Sequence, residues 1–404
     1  MANGVRVRQS QSGIKLQSGE GSAATLSGAD CFGSTKDHSH DYEAETYERD
    51  ITRTTLSSQG ALVGARTLTL KRTDEVVGGG AALASEAAVH RIFKGCGLSE
   101  AQLKKVTVSS RSGGEFVAGQ LIGNHATQGS ATATGIVAYV DATVLVYLPV
   151  TGTFTPTTDT IYNYETSQVS ATTSGSLTNG GHAFKPLSED ESNTHAVVTM
   201  ERRMGGFVHR IVDGRGKCTL KFSVGKPLLV ESEFMGPCAD ETPEDAALTG
   251  VPAASTVAPK TCLGTTLIAA GKSPVVTEVT IAIDNTMAKR PTLGASTLDS
   301  GNLATRITGR KITATLNPEC TFAGYSGADK EDFLNQAFAA TRINVVAMAG
   351  SYGHTHGLMV VAIPSGQISG LPGNGDRDGL ATLDVTIDAC GVSGDDEVYI
   401  FHVF

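Results

Sequence analysis

The chain has no tryptophan, and aromatic residues make up only 5% of its 404 positions. A core without large rings must be filled by small and β-branched side chains. Gly, Ala, Thr, Ser and Val are abundant here, which suits sheets packed on sheets. There is no run of lysine and arginine, and the formal charge is −9. Tight binding to a phosphate backbone needs clustered cations that displace counterions. Their absence argues against a nucleic-acid binder, and a mildly acidic surface would repel passing DNA. No stretch approaches the length of a membrane span. The seven cysteines are odd in number and contain no CxxC pair, so neither a disulfide framework nor a zinc ribbon is indicated. The opening MANGVRVRQSQSG lacks the apolar run of a signal peptide. The expectation is a soluble protein folded in a reducing cytoplasm, its thiols free.

What the chain does have is an internal repeat. LVGARTLTL at 62–70 returns as ITGRKITAT at 307–315, 245 residues later. Each segment carries a glycine, Gly64 or Gly309, read as a small turn before an alternating strand. At the same offset Val89, Ile92, Phe93 and Cys96 fall on Leu334, Ala337, Phe338 and Thr341. These are i, i+3, i+4, i+7 positions, one face of a short helix. Beyond the helix the register changes. AVVTMERRMGG at 196–206 matches NVVAMAGSYGH at 344–354 at an offset of 148, so the first half holds about 97 extra residues, an inserted domain.

The predicted organisation follows from these registers. Residues 1–46 are polar, lack a core-forming period and read as an extended N-terminal arm, ordered against a neighbour. The first unit occupies 47–98 and 191–236. Its strands are expected near 51–56, 65–72, 195–201, 207–212, 217–224 and 228–234, with DGRG at 213–216 as a turn. The helix covers 86–96, with Ser85 as N-cap and Gly97 as its stop. Residues 99–190 form the insertion, a small all-β module on the periphery that the shared fold does not need. Residues 237–273 are Pro-, Ala- and Thr-rich, an inter-domain linker. The second unit runs over 274–404, with a helix capped by Asp329 and strands at 343–349, 357–363, 380–388 and 398–403. The fold class is mainly β: a duplicated β-sandwich or barrel, each copy with one short α-helix, plus the small β insertion.

Candidate chemistry is sparse. Gly271-Lys272-Ser273 resembles the end of a phosphate loop, but Thr266 stands where that loop needs glycine, and Pro274 and a strand follow in place of a helix. Asn374, Asp376, Asp378 and Gly379 have calcium-loop spacing, yet the twelfth position is Val385 and not a bidentate Glu. An acidic turn between strands explains them. His38, His40 and Asp41, or His354 and His356, offer two or three ligands where a metal needs three or four that converge. No catalytic residue, cofactor site or metal site is assigned, and no HExxH, GxSxG or Cys/His signature points to an enzyme.

Several segments together resemble the tail tube proteins of long-tailed, siphovirus-like bacteriophages. In the first unit these are ERDITRTTL at 48–56, LTLKRTDEVVGGG at 68–80, the helix EAAVHRIFKGCGL, and FVHRIVDGRGKCTLKFSVGKPLLVESEFMG at 207–236. ATRITGRKITATLNPE at 304–319 is similar to the opening of the family's second half. The insertion, with GEFVAGQLIG, GSATATGIVAYV and TGTFTPTTDTIYN, looks like the small β-barrel add-ons of phage structural proteins. The resemblance spans most of 47–404. It implies a structural virion protein whose copies stack as rings around a DNA conduit, with the helices on the outer side of the barrel. The implied partners are further copies of the chain and other tail proteins, such as tape measure, terminator and distal proteins. DNA would pass through unbound, no membrane would be involved, and assembly would occur in the host cytoplasm. Two tandem tube domains per chain imply a ring of three chains with pseudo-sixfold symmetry. Another ring component of the tail and a non-phage surface adhesin are the alternatives.

Overall fold

The computed structural model describes residues 11–31, 34–49, 60–76, 88–112, 116–165, 170–190, 194–204, 207–238, 248, 259–263, 266–293, 300–320 and 330–404. The architecture is mainly β. The first unit opens with β1 (Gln11–Leu16), β2 (Ser34–Tyr47), β3 (Leu62–Glu75) and α1 (Ala88–Gly95). The insertion contributes β4 (Leu98–Ser112), β5 (Leu121–Gly123), β6 (Thr134–Val140), β7 (Val144–Thr151), β8 (Thr160–Asn163) and β9 (Ser170–Pro186). The first unit resumes with β10 (Val198–Met204), β11 (Phe207–Ser223) and β12 (Leu229–Pro237). The second unit holds β13 (Leu267–Ala269), β14 (Glu278–Pro291), β15 (Asn302–Leu316), α2 (Lys330–Ala339) and β16 (Ile343–Gly350). It ends with β17 (Leu358–Ile368), β18 (Gly373–Arg377), β19 (Leu380–Ala389) and β20 (Tyr399–Val403). No helix among the described residues is long and apolar enough to cross a membrane.

The duplication is visible in the strand pairing. The antiparallel path β1–β10–β11–β12–β3–β2 in the first unit matches β13–β16–β17–β19–β15–β14 in the second. Gly64 and Gly309 are not turns, as their sequence suggested. Both sit inside the second strand of a long hairpin, where the ladder slips by one residue on each copy, between Ala44 and Thr46 and between Thr286 and Met287. Such bulges increase local twist.

The equivalence corrects two boundaries. Residues 11–16 are not a loose arm: β1 pairs with β10, and Ile14 is fully buried. The first unit therefore starts at β1 and takes β2 as well. Likewise the segment read as a linker contains β13, which pairs with β16 as β1 pairs with β10. Neither short strand carries enough alternation to stand out alone. DGRG is not a turn but a bend within β11. Gly216 is required there, since a Cβ would lie 2.5 Å from the Glu233 carbonyl oxygen. The strand expected at 51–56 and the caps Ser85 and Asp329 lie outside the described residues.

β11 and β17 each bend from one layer to another. Residues 207–214 of β11 pair with β10, whereas 215–223 lie between β12 and β14. One layer is thus the continuous sheet β2–β3–β12–β11–β14–β15–β19. Alternate side chains such as Leu70, Leu220, Ile283, Ala314 and Ile387 enter the main core. A second layer, built on β16, β17 and β20, is buried on both faces. Val361 and Ile363 point into that core, while Val360 and Ala362 point away from it. This explains the unbroken apolar runs in those strands.

The insertion packs on that second face. Its strands close a ring, β4–β7–β6–β5–β8–β9–β4, around Val106, Ile122, Val137, Tyr147 and Phe154. It is more than a peripheral attachment. β9 pairs with β20, and Ile136, Val146 and Leu148 share a buried cluster with Val360 and Phe401 of the second unit.

The two helices differ. Val89, Ile92 and Phe93 of α1 and Cys96 in the turn after it are all buried, and Gly97 follows at φ +78°. In α2 the apolar face expected from sequence is Phe333, Leu334, Ala337 and Phe338; of these Phe333 is buried, whereas Phe338 is 72% exposed.

Candidate functional site

Three features outside ordinary packing concentrate polar chemistry. The first is the exposed face of the continuous sheet. Strand alternation puts Lys71, Lys217, Lys221 and Lys311 there, and each faces a carboxylate on an adjacent strand. Lys71 meets Glu233 at 3.0 Å, Lys221 meets Glu231 at 2.7 Å and Lys311 meets Asp388 at 3.2 Å. Lys217 lies 3.8 Å from Glu233 and 3.4 Å from Asp284, the latter across the boundary between units. Exposed pairs of this kind add little stability. Their consequence is a charge-balanced face, hydroxyl-rich through Thr69, Thr73, Thr219, Thr280 and Thr315, with no cluster of uncompensated cations among the described residues.

The second is the joint between the units. β11 and β14 form a six-residue ladder, Cys218↔Ile283 through Ser223↔Glu278. Beside it the buried Asn285 amide donates to the carbonyls of Cys96 and Gly216, both at 2.8 Å. Arg215, fully buried, donates to the carbonyls of His195 at 3.0 Å and of Thr305, and pairs with Glu20 at 3.0 Å. Glu189, on the return from the insertion, lies 3.6 Å from Arg215 and also pairs with Arg306. One guanidinium therefore ties the N-terminal segment, β11, the insertion's return and β15 together.

The third is a histidine cluster that sequence reading missed. His90 on α1, Glu100 on β4, His182 on β9 and His402 on β20 meet beneath the barrel. Burial, with His402 and His182 nearby, pushes His90 down to about 2. Burial also lowers His402 to about 4, although its bond to the His356 carbonyl opposes this. Both rings are neutral. The His182 hydrogen bond, helped by Lys94, holds Glu100 down at about 2 against its desolvation, so it is ionised. The members are 10 to 312 residues apart in sequence, so no local spacing could have announced them.

The histidines considered from sequence lie elsewhere. His40 on β2 stacks on His209 at 4.1 Å, with the Arg202 guanidinium against its Nδ1. Burial and then the charges of Arg202 and Arg72 lower His38. Arginines so close oppose a metal cation. Asp41, the neighbour in alternation, is exposed on the other side of β2. His354 and His356 sit in the turn between β16 and β17, where the His356 amide donates to His354 Nδ1 at 3.3 Å. Asn374, Asp376, Asp378 and Gly379 belong to the β18–β19 hairpin, where the Gly379 amide donates to Asp376. Lys272 is in a tight turn bridged to Ala269, with no helix after it. None of the seven cysteines is in a disulfide. No family model matches this sequence, and no curated protein matches it.

Proposed function

We propose that the chain is a structural subunit of a phage tail tube, assembling as rings of three chains that stack around a DNA conduit. The observation that carries this reading is the joint between the units. In the second unit β14 stands where β2 stands in the first, and β14 ladders onto β11. The second-unit counterpart of β11 is β17. A neighbouring chain can therefore offer its β2 to the far end of β17 in the same head-to-tail manner. Repeated contacts of this kind close into a ring when the rotation permits, and closure removes the sheet edges that would otherwise invite aggregation. Three chains would contribute six equivalent units.

The faces agree with this arrangement. The balanced polar face would line the channel, where paired lysines give DNA, one charge per about 1.7 Å of axis, nothing to grip. The barrel packs on the layer away from that face and would project outward. The role is structural, without catalysis or cofactor, in the virion tail after assembly in the host cytoplasm. Its contacts would be copies of itself and other tail proteins. The test is the mass of isolated rings together with a projection down the tube axis. Three chains per ring with six lobes around the channel is the expected result. Six full chains per ring, or a chain that stays monomeric under all assembly conditions, would refute it.

A further inference from the structure

We infer that His90, Glu100 and His182 form a binding site for a divalent transition-metal ion of the zinc class, placed where the two units and the barrel meet. His402 Nε2 lies 3.0 Å from the His356 carbonyl oxygen, which can only accept, so this nitrogen carries a proton. His402 Nδ1 lies 2.9 Å from His90 Nε2. If His402 donated there too, it would be a fully buried imidazolium facing a single carbonyl, a costly arrangement. His402 Nδ1 is therefore bare, and His90 Nε2 is the donor. That leaves His90 Nδ1 with an uncommitted lone pair.

His90 is 1% exposed, and its Nδ1 has no hydrogen-bond partner. It points at Glu100 Oε1, 3.7 Å away, which is another acceptor. The buried His90 lone pair thus faces a carboxylate oxygen with no proton between them, and a cation there would satisfy both. His182 Nδ1 lies 2.8 Å from the same oxygen. Without an ion that nitrogen donates to Glu100, but the ring proton can move to Nε2, which is buried without a partner, and this frees Nδ1 as a third ligand. The three ligand atoms lie within 4.8 Å of one another. Tetrahedral zinc with bonds of about 2.0–2.2 Å brings ligand atoms to about 3.3–3.6 Å apart, so a closure of at most about 1.5 Å, with a slight opening of the His182–Glu100 pair, completes the set. Lys94 holds Glu100 Oε2 at 3.0 Å and leaves Oε1 for the ion. Fixing the ligand tautomer from behind, as His402 does, is the usual support of an imidazole ligand. Two imidazoles and a carboxylate favour zinc, cobalt or nickel over magnesium or calcium.

The site does not depend on the tube reading. Its ligands come from α1 and from both strands at the base of the barrel, backed by β20 of the second unit, so a bound ion would staple three parts of the chain. The experiment uses the full chain stripped with a chelator and titrated with zinc and with cobalt. Expected are one zinc per chain by elemental analysis, a visible cobalt spectrum of tetrahedral intensity, and a higher melting temperature with metal. Glu100→Gln and His182→Gln should each weaken zinc binding by about 100-fold or more, given that even supporting partners contribute 10–100-fold. His354→Ala and His125→Ala should not change it. Glu100→Gln keeps the shape of a partly exposed side chain, so folding is preserved and checked by the melt without metal. A stripped chain that takes up no zinc, or equal uptake by wild type, Glu100→Gln and His182→Gln, would overturn the assignment.

Discussion

The two units share a strand path yet treat their helices differently. α1 is enclosed. β1 lies beside it, β4 leaves directly from its end, and Phe184 of β9 meets Phe93 at 5.2 Å between ring centres. Arg91 reaches from the helix to the Ile14 carbonyl at 3.0 Å and to Asp30 at 2.6 Å. α2 has no barrel over it and seats chiefly Phe333 against its unit, leaving Phe338 on the surface. A helical apolar period records that a helix has one greasy face. How much of that face is covered depends on what the rest of the chain lays across it.

The largest effect should come from removing what encloses α1. Deleting 113–187 takes away β9, the partner of β20, and uncovers Val360 and Phe401. The shortened chain should fail to give a cooperative melt, and a well-folded product would show the barrel to be dispensable. Phe93→Ala should cost about 3–5 kcal/mol, the range for truncating a fully buried ring, read as a lowered denaturant midpoint. Asn285→Ala leaves two buried carbonyls at the joint without their donor and should cost about 1–3 kcal/mol for each. Equal stability of wild type and variant would remove the amide from the account of how the units are joined.

A smaller effect separates the helices by pH. Burial raises the Asp30 carboxyl, but the Ser27 amide and hydroxyl and the Arg91 guanidinium outweigh it, so its value falls below 3.8. A depressed carboxylate adds stability that is present above the ordinary value and is lost as pH falls through the folded one. Denaturation midpoints of wild type and Asp30→Asn should therefore differ near neutrality and converge below about pH 3.8. A gap that stays constant with acid would show that the ion pair does not link the N-terminal segment to α1. The smallest effect is Phe338→Ala, expected within about 0.5 kcal/mol in the isolated chain. A loss as large as that from Phe93→Ala would mean that the two helices are equivalent after all.

Much of this architecture was legible in the residues, because period-two alternation and an offset of 245 are local or directly countable. The all-β character of the insertion follows from its alternating runs and frequent turn glycines. β1 and β13 were not legible, since three to six residues carry too little pattern to separate a strand from a polar arm or linker. DGRG reads as a turn in any sequence, and only its neighbours reveal that β11 continues through it.

The sequence by itself determined the mainly β class, the duplication, the interruption of one copy and the lack of a lysine- and arginine-rich run. Each follows from composition, periodicity or spacing along the chain. The tertiary structure decided which edges meet, that one face of the sheet is a lattice of paired charges, and that His90, Glu100 and His182 converge. Those are contacts between residues far apart in sequence, and their partners are set by how the layers stack and by no spacing within any one segment.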